Sequence, residues 1–230
     1  MLAYDQLLKQ MAENQWFAGL APDVQQEMLV DSRIQRLNPG EFLLRQGDAP
    51  GCFYGLVHGA LKVSSLGEDG KEAILTVFEV GNWFGETSLL DGLPRMHDMS
   101  AVTAVEVRCI EPADFERLMS NNGFARAIAA LQAMHSRLVY KMLEDSMLRS
   151  TRMRIARRLD HLAHGDTSLS LNERHVLNIT QDSLAMMLGI TRQTLALELK
   201  SMAGEGAVIL KYGQVQIASL AKLKAMASGL

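Results

Sequence analysis

The sequence predicts an α+β fold in three successive parts: a strand-rich roll behind short N-terminal helices, one long helix, and a basic helical unit ending in a hairpin. Three observations point there. Glycines at 40, 47, 59, 70, 81 and 85 separate short runs rich in Val, Ile, Leu and Phe, the texture of consecutive antiparallel strands. Residues 121–149 hold no Pro and, after Gly123, no Gly, which suits one uninterrupted helix. The charge also changes sign along the chain. Residues 1–148 carry 12 Lys and Arg against 20 Asp and Glu, a net of −8, whereas residues 149–230 carry 11 against 6, a net of +5. Parts of opposite charge point to different partners, and a basic part suits a polyanion.

Residues 2–17, with Leu2, Leu7, Leu8, Met11 and Trp16 apolar, read as a short amphipathic helix, and 21–30 as another with Pro22 near its first turn. FLLRQ, FYGLV, ALKVSSL, AILTVFEV and AVTAVEVRCI are the strand candidates, and Glu68-Asp69-Gly70-Lys71 is a hairpin turn. No ten-residue helical pattern interrupts these runs, so a parallel α/β sheet is excluded and a sandwich or barrel-like roll is expected. In the long helix Phe124, Ile128, Leu131, Leu138 and Met142 form a heptad-like stripe, with His135 in its gap. A second stripe, Val139–Leu143–Met147, lies beside it. Two apolar faces require two partners. The simplest solution packs one on the strand unit and one on a twin helix of a second subunit; the alternative is a core helix of a single chain. Phe124, Ile128, Leu131, His135, Leu138 and Met142 are the expected dimer contacts. The expected boundaries are 1–120 for the N-terminal helices and roll, 121–148 for the long helix, and 149–230 for the basic unit.

In the last part STRMRIARRLDHLA is helical, with Ile155, Leu159 and Leu162 on one face and Arg152, Arg154, Arg157 and Arg158 around it. HGDTSLSLNERHV follows as loop and short strand. Thr180 and Thr191 each stand where a helix N-cap belongs. Helices over 181–188 and 192–202 are then separated by Gly189-Ile190-Thr191, with Gly189 suited to a left-handed turn and Ala185 small enough for close approach. Leu184, Leu188, Ile190, Leu195 and Leu199 supply a shared core. This is the helix-turn-helix pattern. It is followed by a hairpin that alternates Val208, Leu210, Val215 and Ile217 across Tyr212-Gly213. The second helix of such a unit offers its first turn to the major groove. Arg192 can bond guanine and Gln193 adenine through two acceptors or donors at once. The hydroxyls of Thr191 and Thr194 and the backbone amides there suit phosphates, Thr180, Gln181 and Lys200 are further expected DNA contacts, and Leu197 either meets a thymine methyl or packs.

Other classes are excluded by what is missing. No run of about 18 apolar residues exists to span a membrane. The opening MLAYDQLLKQMAENQWF lacks the basic start and apolar middle of a secretory signal, so a cytoplasmic protein is expected. Cys52 and Cys109, the two cysteines, cannot make an iron–sulfur or four-thiolate site and are expected to be reduced packing residues. No Ser-His-Asp spacing, P-loop or zinc motif is present, so an enzyme is not expected. Among the histidines, His58 belongs to turn chemistry and His161 and His164 to a solvated helix face. His97 alone merits attention as an axial ligand, and heme is not expected.

Three segments resemble one family. NPGEFLLRQGD is similar to the turn-and-strand signature of a cyclic-nucleotide-binding-type β-roll, FGETSLLDGLPR to its phosphate-binding cassette, and ITQDSLAMMLGITRQTLALELKSM to the family's helix-turn-helix. In this order, across Phe17 to Ile217, they resemble the cyclic-AMP receptor protein / fumarate-nitrate regulator (CRP/FNR) family of bacterial transcription factors. The resemblance implies a homodimer on palindromic double-stranded DNA. Its parts are a sensory β-roll (a double-stranded jelly roll), a dimerisation helix and a C-terminal winged helix-turn-helix, with RNA polymerase as a further partner if it activates. It implies an effector site of Gly85, Glu86, Thr87, Ser88, Arg95, Met96 and Tyr140. Gly85 lets a phosphate approach, Glu86 accepts from a ribose hydroxyl and Arg95 neutralises the phosphate. Met96 stands where a hydroxyl residue usually follows the arginine, and Val139-Tyr140 where a Thr-Ser pair touches adenine, which counts against cyclic AMP itself. A vestigial pocket, cyclic AMP and another anionic small molecule stay open. So does the alternative of a cyclic-nucleotide- or heme-binding sensory module whose output is not primarily DNA binding. The recognition helix departs from the family's best-known Arg-Glu then Arg pattern, with Gln193 and Leu197 in place of the second and third.

Overall fold

The computed structural model describes residues 4–30, 32–164 and 174–229. The chain forms two compact units, one built mainly from residues up to Arg137 and one mainly from Leu138 onward.

The first unit begins with α1 (Tyr4–Met11), α2 (Gln15–Ala18) and α3 (Pro22–Val30). The single helix expected over 2–17 is thus two. Asn14 breaks it: its side chain accepts from the Trp16 N–H and starts α2, while its amide donates to the Gly81 carbonyl at 2.9 Å. Eight strands follow in two antiparallel sheets. One has the order β1 (Arg33–Leu37), β8 (Val105–Ile110), β3 (Phe53–His58), β6 (Trp83–Phe84); the other has β2 (Phe42–Leu44), β7 (Asp98–Ala101), β4 (Ala60–Leu66), β5 (Glu72–Glu79). Tyr54, Leu56, Val107 and Cys109 from one sheet and Leu44, Leu61, Val63 and Phe78 from the other share one core. On β3 the alternate residues Phe53 and Val57 face the opposite way, into a second core with the N-terminal helices, so β3 is apolar on both faces.

AVTAVEVRCI, read as one strand, is two. The chain leaves one sheet after Ala101 and enters the other at Val105. The crossing is fixed by the Val102 N–H on the Ala60 carbonyl (2.9 Å) and the Ala60 N–H on Thr103 Oγ1 (3.1 Å). The expected turn at Gly70 forms, with the Gly70 N–H donating to the Gly67 carbonyl. Between β6 and β7 lies the six-residue α4 (Glu86–Asp91), and after β8 comes α5 (Pro112–Met119).

The long helix is α6 (Asn122–Leu148). Its stripe does not serve one partner: three of the six expected dimer contacts are taken up within the chain. Phe124, Ile128 and Leu131 are at most 2% exposed, packed with Phe53, Phe115 and Leu118 of their own chain. A heptad-like spacing marks an apolar face without naming what covers it, and the roll covers these three. His135 bonds Glu86, and Leu138 and Met142 are half-buried. Val139, Tyr140, Leu143 and Met147 are exposed instead.

The second unit comprises α7 (Thr151–Ala163), β9 (Val176–Leu177), α8 (Gln181–Leu188), α9 (Arg192–Gly204), β10 (Val208–Lys211), β11 (Gln214–Ile217) and α10 (Leu220–Ser228). Its core joins Ile155 and Leu159 to Leu184, Leu188, Leu195, Leu199, Val208, Val215 and Leu223. The expected hairpin forms, with Val208 opposite Ile217 and Leu210 opposite Val215, and β9 extends it to three strands. Most of HGDTSLSLNERHV, residues 165–173, lies outside the described residues.

Candidate nucleic-acid interface and effector site

The helix-turn-helix is built from its ends. Thr180 Oγ1 accepts from the Ser183 N–H at 3.0 Å and Thr191 Oγ1 from the Thr194 N–H at 3.1 Å, so each hydroxyl caps a helix. Gly189 ends α8 at φ +62°, its N–H returning to the carbonyls of Ala185 and Met186. Leu195, Leu199 and Met202 anchor α9 at 0% exposure. The opposite face is open: Thr191, Arg192, Gln193, Thr194, Leu197 and Lys200 are all exposed. Leu197 is 72% exposed and is not packed among the described residues. Gln181 is half-buried and Thr180 exposed at the start of α8. A cleft of about 430 Å³ runs between these helix starts and the β10–β11 turn, lined by Thr180, Gln181, Asp182, Arg192, Lys211 and Tyr212, among others.

The four arginines of α7 are engaged inside the unit. Arg152 bonds Ser201 Oγ (3.0 Å) and Glu205 Oε1 (2.5 Å), Arg154 donates to the Leu188 carbonyl, Arg157 pairs with Asp145 at 2.7 Å, and Arg158 is 5% exposed. Arg152 holds the Glu205 carboxyl below the usual carboxylate range. Sequence reasoning missed these roles, because it saw the arginines' charge and not their carboxylates and carbonyls.

In the roll, the cassette residues gather around Arg95. Gly85 precedes α4 at φ +99°, and a Cβ there would lie 2.9 Å from the Cys52 carbonyl and 3.2 Å from the Arg95 guanidinium, so the position needs glycine. Arg95, 5% exposed, donates to the carbonyls of Gly85 (2.8 Å) and Cys52 (2.9 Å). Its buried Nε has no partner among the described residues. Burial lowers its pKa from the usual arginine value, and burial likewise pushes the nearby Tyr54 phenol up. A buried cation whose direct partners are two carbonyls gains from an anion, so these residues fit a phosphate.

Glu86 is 2% exposed. Gln132 Nε2 donates to its Oε1 at 3.1 Å and to Thr87 Oγ1 at 2.8 Å, while His135 Nδ1 lies 3.1 Å from the same Oε1. Gln132 is the residue that the sequence reading overlooked; a lone polar side chain beside the Phe124–Ile128–Leu131 stripe carries no signal of its own. Ser88 is buried, and Met96 and Tyr140 are 60% and 71% exposed. His97 Nδ1 faces Ser65 Oγ at 2.9 Å. Cys52 and Cys109 are both buried and free; the two neighbouring thiols act on each other, which lowers the Cys52 pKa and raises that of Cys109.

Comparison with known proteins meets this geometry at both ends. A profile for the cyclic nucleotide-binding domain matches residues 34–122, and one for the Crp-like helix-turn-helix domain matches residues 153–226. The chain belongs to the CRP/FNR family. It is 29% identical over 216 residues to the cyclic AMP receptor protein of Thermus thermophilus, covering 93% of this chain and 97% of that protein. The CRP-like cAMP-activated global transcriptional regulator of Mycobacterium tuberculosis is 26% identical, covering 90% and 93%. A crystal structure of a CRP-family transcriptional regulator from Thermus thermophilus superposes with a TM-score of 0.68 at 26% identity, over 84% of this chain and 96% of the other. FixK2 from Bradyrhizobium japonicum shares the fold, with a TM-score of 0.75 at 17% identity over 85% and 96%. As a CRP/FNR member the chain is a DNA-binding transcription regulator with a cyclic-nucleotide-binding-type β-sheet domain and a Crp-like helix-turn-helix. Among the described residues, no helix of this CRP/FNR protein is long and apolar enough to cross a membrane.

Proposed function

We propose that the protein works in the cytoplasm as a homodimer that reads a palindromic operator through the first turn of α9 and answers to a phosphate-bearing small molecule at Arg95. The observation that carries the DNA reading is the capped, open start of α9. Thr191 fixes the turn, Leu195 and Leu199 bury the inner face, and Arg192 and Gln193 stand outside it. Arg192 is the guanine reader and Gln193 the adenine reader, with Thr180, Gln181, Thr191, Thr194 and Lys200 on phosphates and Leu197 against a thymine methyl. Two such helices lie about 34 Å apart on one face of a duplex, so the protected site is twofold symmetric. RNA polymerase is the further partner if the protein activates. A footprint titration with selected duplexes tests this. Arg192→Ala costs about 1–3 kcal/mol of discrimination at one position in each half-site; an Arg192→Ala protein with wild-type base preference rejects the reading.

The effector reading rests on the buried guanidinium with its unpartnered Nε and on Gly85 at positive φ. Relatives named as cAMP-activated make cyclic AMP the first ligand to try, while Met96 and Val139 supply no hydroxyl and favour another cyclic nucleotide or anion. Calorimetry with a panel of cyclic mono- and dinucleotides distinguishes them. Glu86→Ala/Arg95→Ala abolishes the heat of whichever binds and leaves DNA affinity unresponsive to it; a wild-type DNA affinity that the bound ligand does not change rejects effector control.

A further inference from the structure

The cleft beside the recognition helix contains an acid on a face that meets a polyanion. Asp182 is the second residue of α8, and its Oδ2 lies 3.4 Å from Arg192 Nη1, the two side chains being 55% and 69% exposed. A carboxylate there repels phosphates on every sequence. An ion pair this exposed adds little stability, and α8 already has its N-terminal cap in Thr180. Stability therefore gives the acid a small role, and its cost falls on DNA binding.

We propose that Asp182 is a specificity-determining positioning residue, which biases Arg192 toward a base and away from the DNA backbone. The chemistry is a difference in charge. A phosphate docking on Arg192 brings its own negative charge against the Asp182 carboxylate, whereas the O6/N7 edge of guanine is neutral and brings none. The acid thereby taxes Arg192's contacts with any backbone more than its contact with the matching base, and raises the ratio of specific to non-specific binding. This rests on the reading of Arg192 as a base contact.

The test uses the full chain as wild type, Asp182→Asn, Arg192→Ala and the double variant. Each is incubated with a pool of random duplexes of about 30 base pairs, long enough for two half-sites. Retention of the unselected pool is measured and the bound fraction sequenced. Asp182→Asn is expected to hold the unselected pool about threefold more tightly and to weaken the guanine preference about threefold. In the Arg192→Ala background it changes no base preference. Asp182→Ser is the second variant should Asp182→Asn lower the melting temperature. Tighter binding with the guanine preference intact overturns the inference and leaves Asp182 a repelling charge alone. A guanine preference untouched by Arg192→Ala overturns the underlying reading of α9 as well, a result separable from the first.

Discussion

Gly55 lies on β3 where a Cβ would meet the Trp83 ring at 2.7 Å. That ring is 2% exposed and stacks on Phe17 at 5.4 Å, with Trp16 and Phe53 at its other sides. It has no room to move, so Gly55→Ala should cost about 1–3 kcal/mol of overpacking strain, read as a lower urea midpoint with unchanged slope. A stability loss within error would mean that the aromatic group is loose. His97 gives a second test. Burial lowers its pKa from the ordinary value of about 6.5, so the unfolded chain binds the proton first. Its contribution to stability is full above about pH 6.5 and is lost as the pH falls through its folded pKa. His97→Gln should flatten that acid limb in a melting series from about pH 7 to pH 4.5; an unchanged limb would assign it to carboxylates.

At the scale of elements, α6 divides its apolar residues between two duties. Phe124, Ile128 and Leu131 fix its first half to the roll. Val139, Leu143 and Met147, spaced by four, keep an open stripe at 62%, 53% and 74% exposure. Contiguous exposed apolar surface on a soluble helix is the ordinary mark of a protein interface. Under the proposed homodimer, Leu143→Glu should shift the sedimenting species from the dimer to the 25.4 kDa monomer and abolish footprinting at concentrations where wild type protects. A dimer that survives the charge places the interface elsewhere. The end of α6 is itself tied to α7 by Asp145 and Arg157, with side chains 14% and 26% exposed. Such a partly buried pair resists removal of either partner more than a surface pair does.

For the whole molecule, the proposed dimer brings two copies each of Lys200 and Lys211 to the duplex. About four neutralised phosphates give a slope of roughly −4 in log affinity against log salt. A slope flatter than about −2 would remove phosphate contact from the account. Much of this was legible beforehand because it is local chemistry. Thr180, Gly189 and Thr191 announce caps and a turn within a few residues of what they cap. The partners of Arg95 are 10 and 43 residues away and meet only when the roll closes. The same reason hid Asn14's bond to Gly81, and with it the break between α1 and α2. The division of the α6 stripe was hidden differently: periodicity gives a direction around the helix axis, and the covering surface is set by tertiary packing.

The internal employment of the α7 arginines has a practical consequence. A mutational survey that ranked positions by formal charge would begin with Arg152, Arg154, Arg157 and Arg158, four cations within seven residues. Each truncation there leaves a carboxylate, a carbonyl or a packed pocket without its counterpart. Weaker retention by such variants would record melted protein, and a genuine contact map has to be normalised to the folded fraction before any of these four is counted as touching a nucleotide.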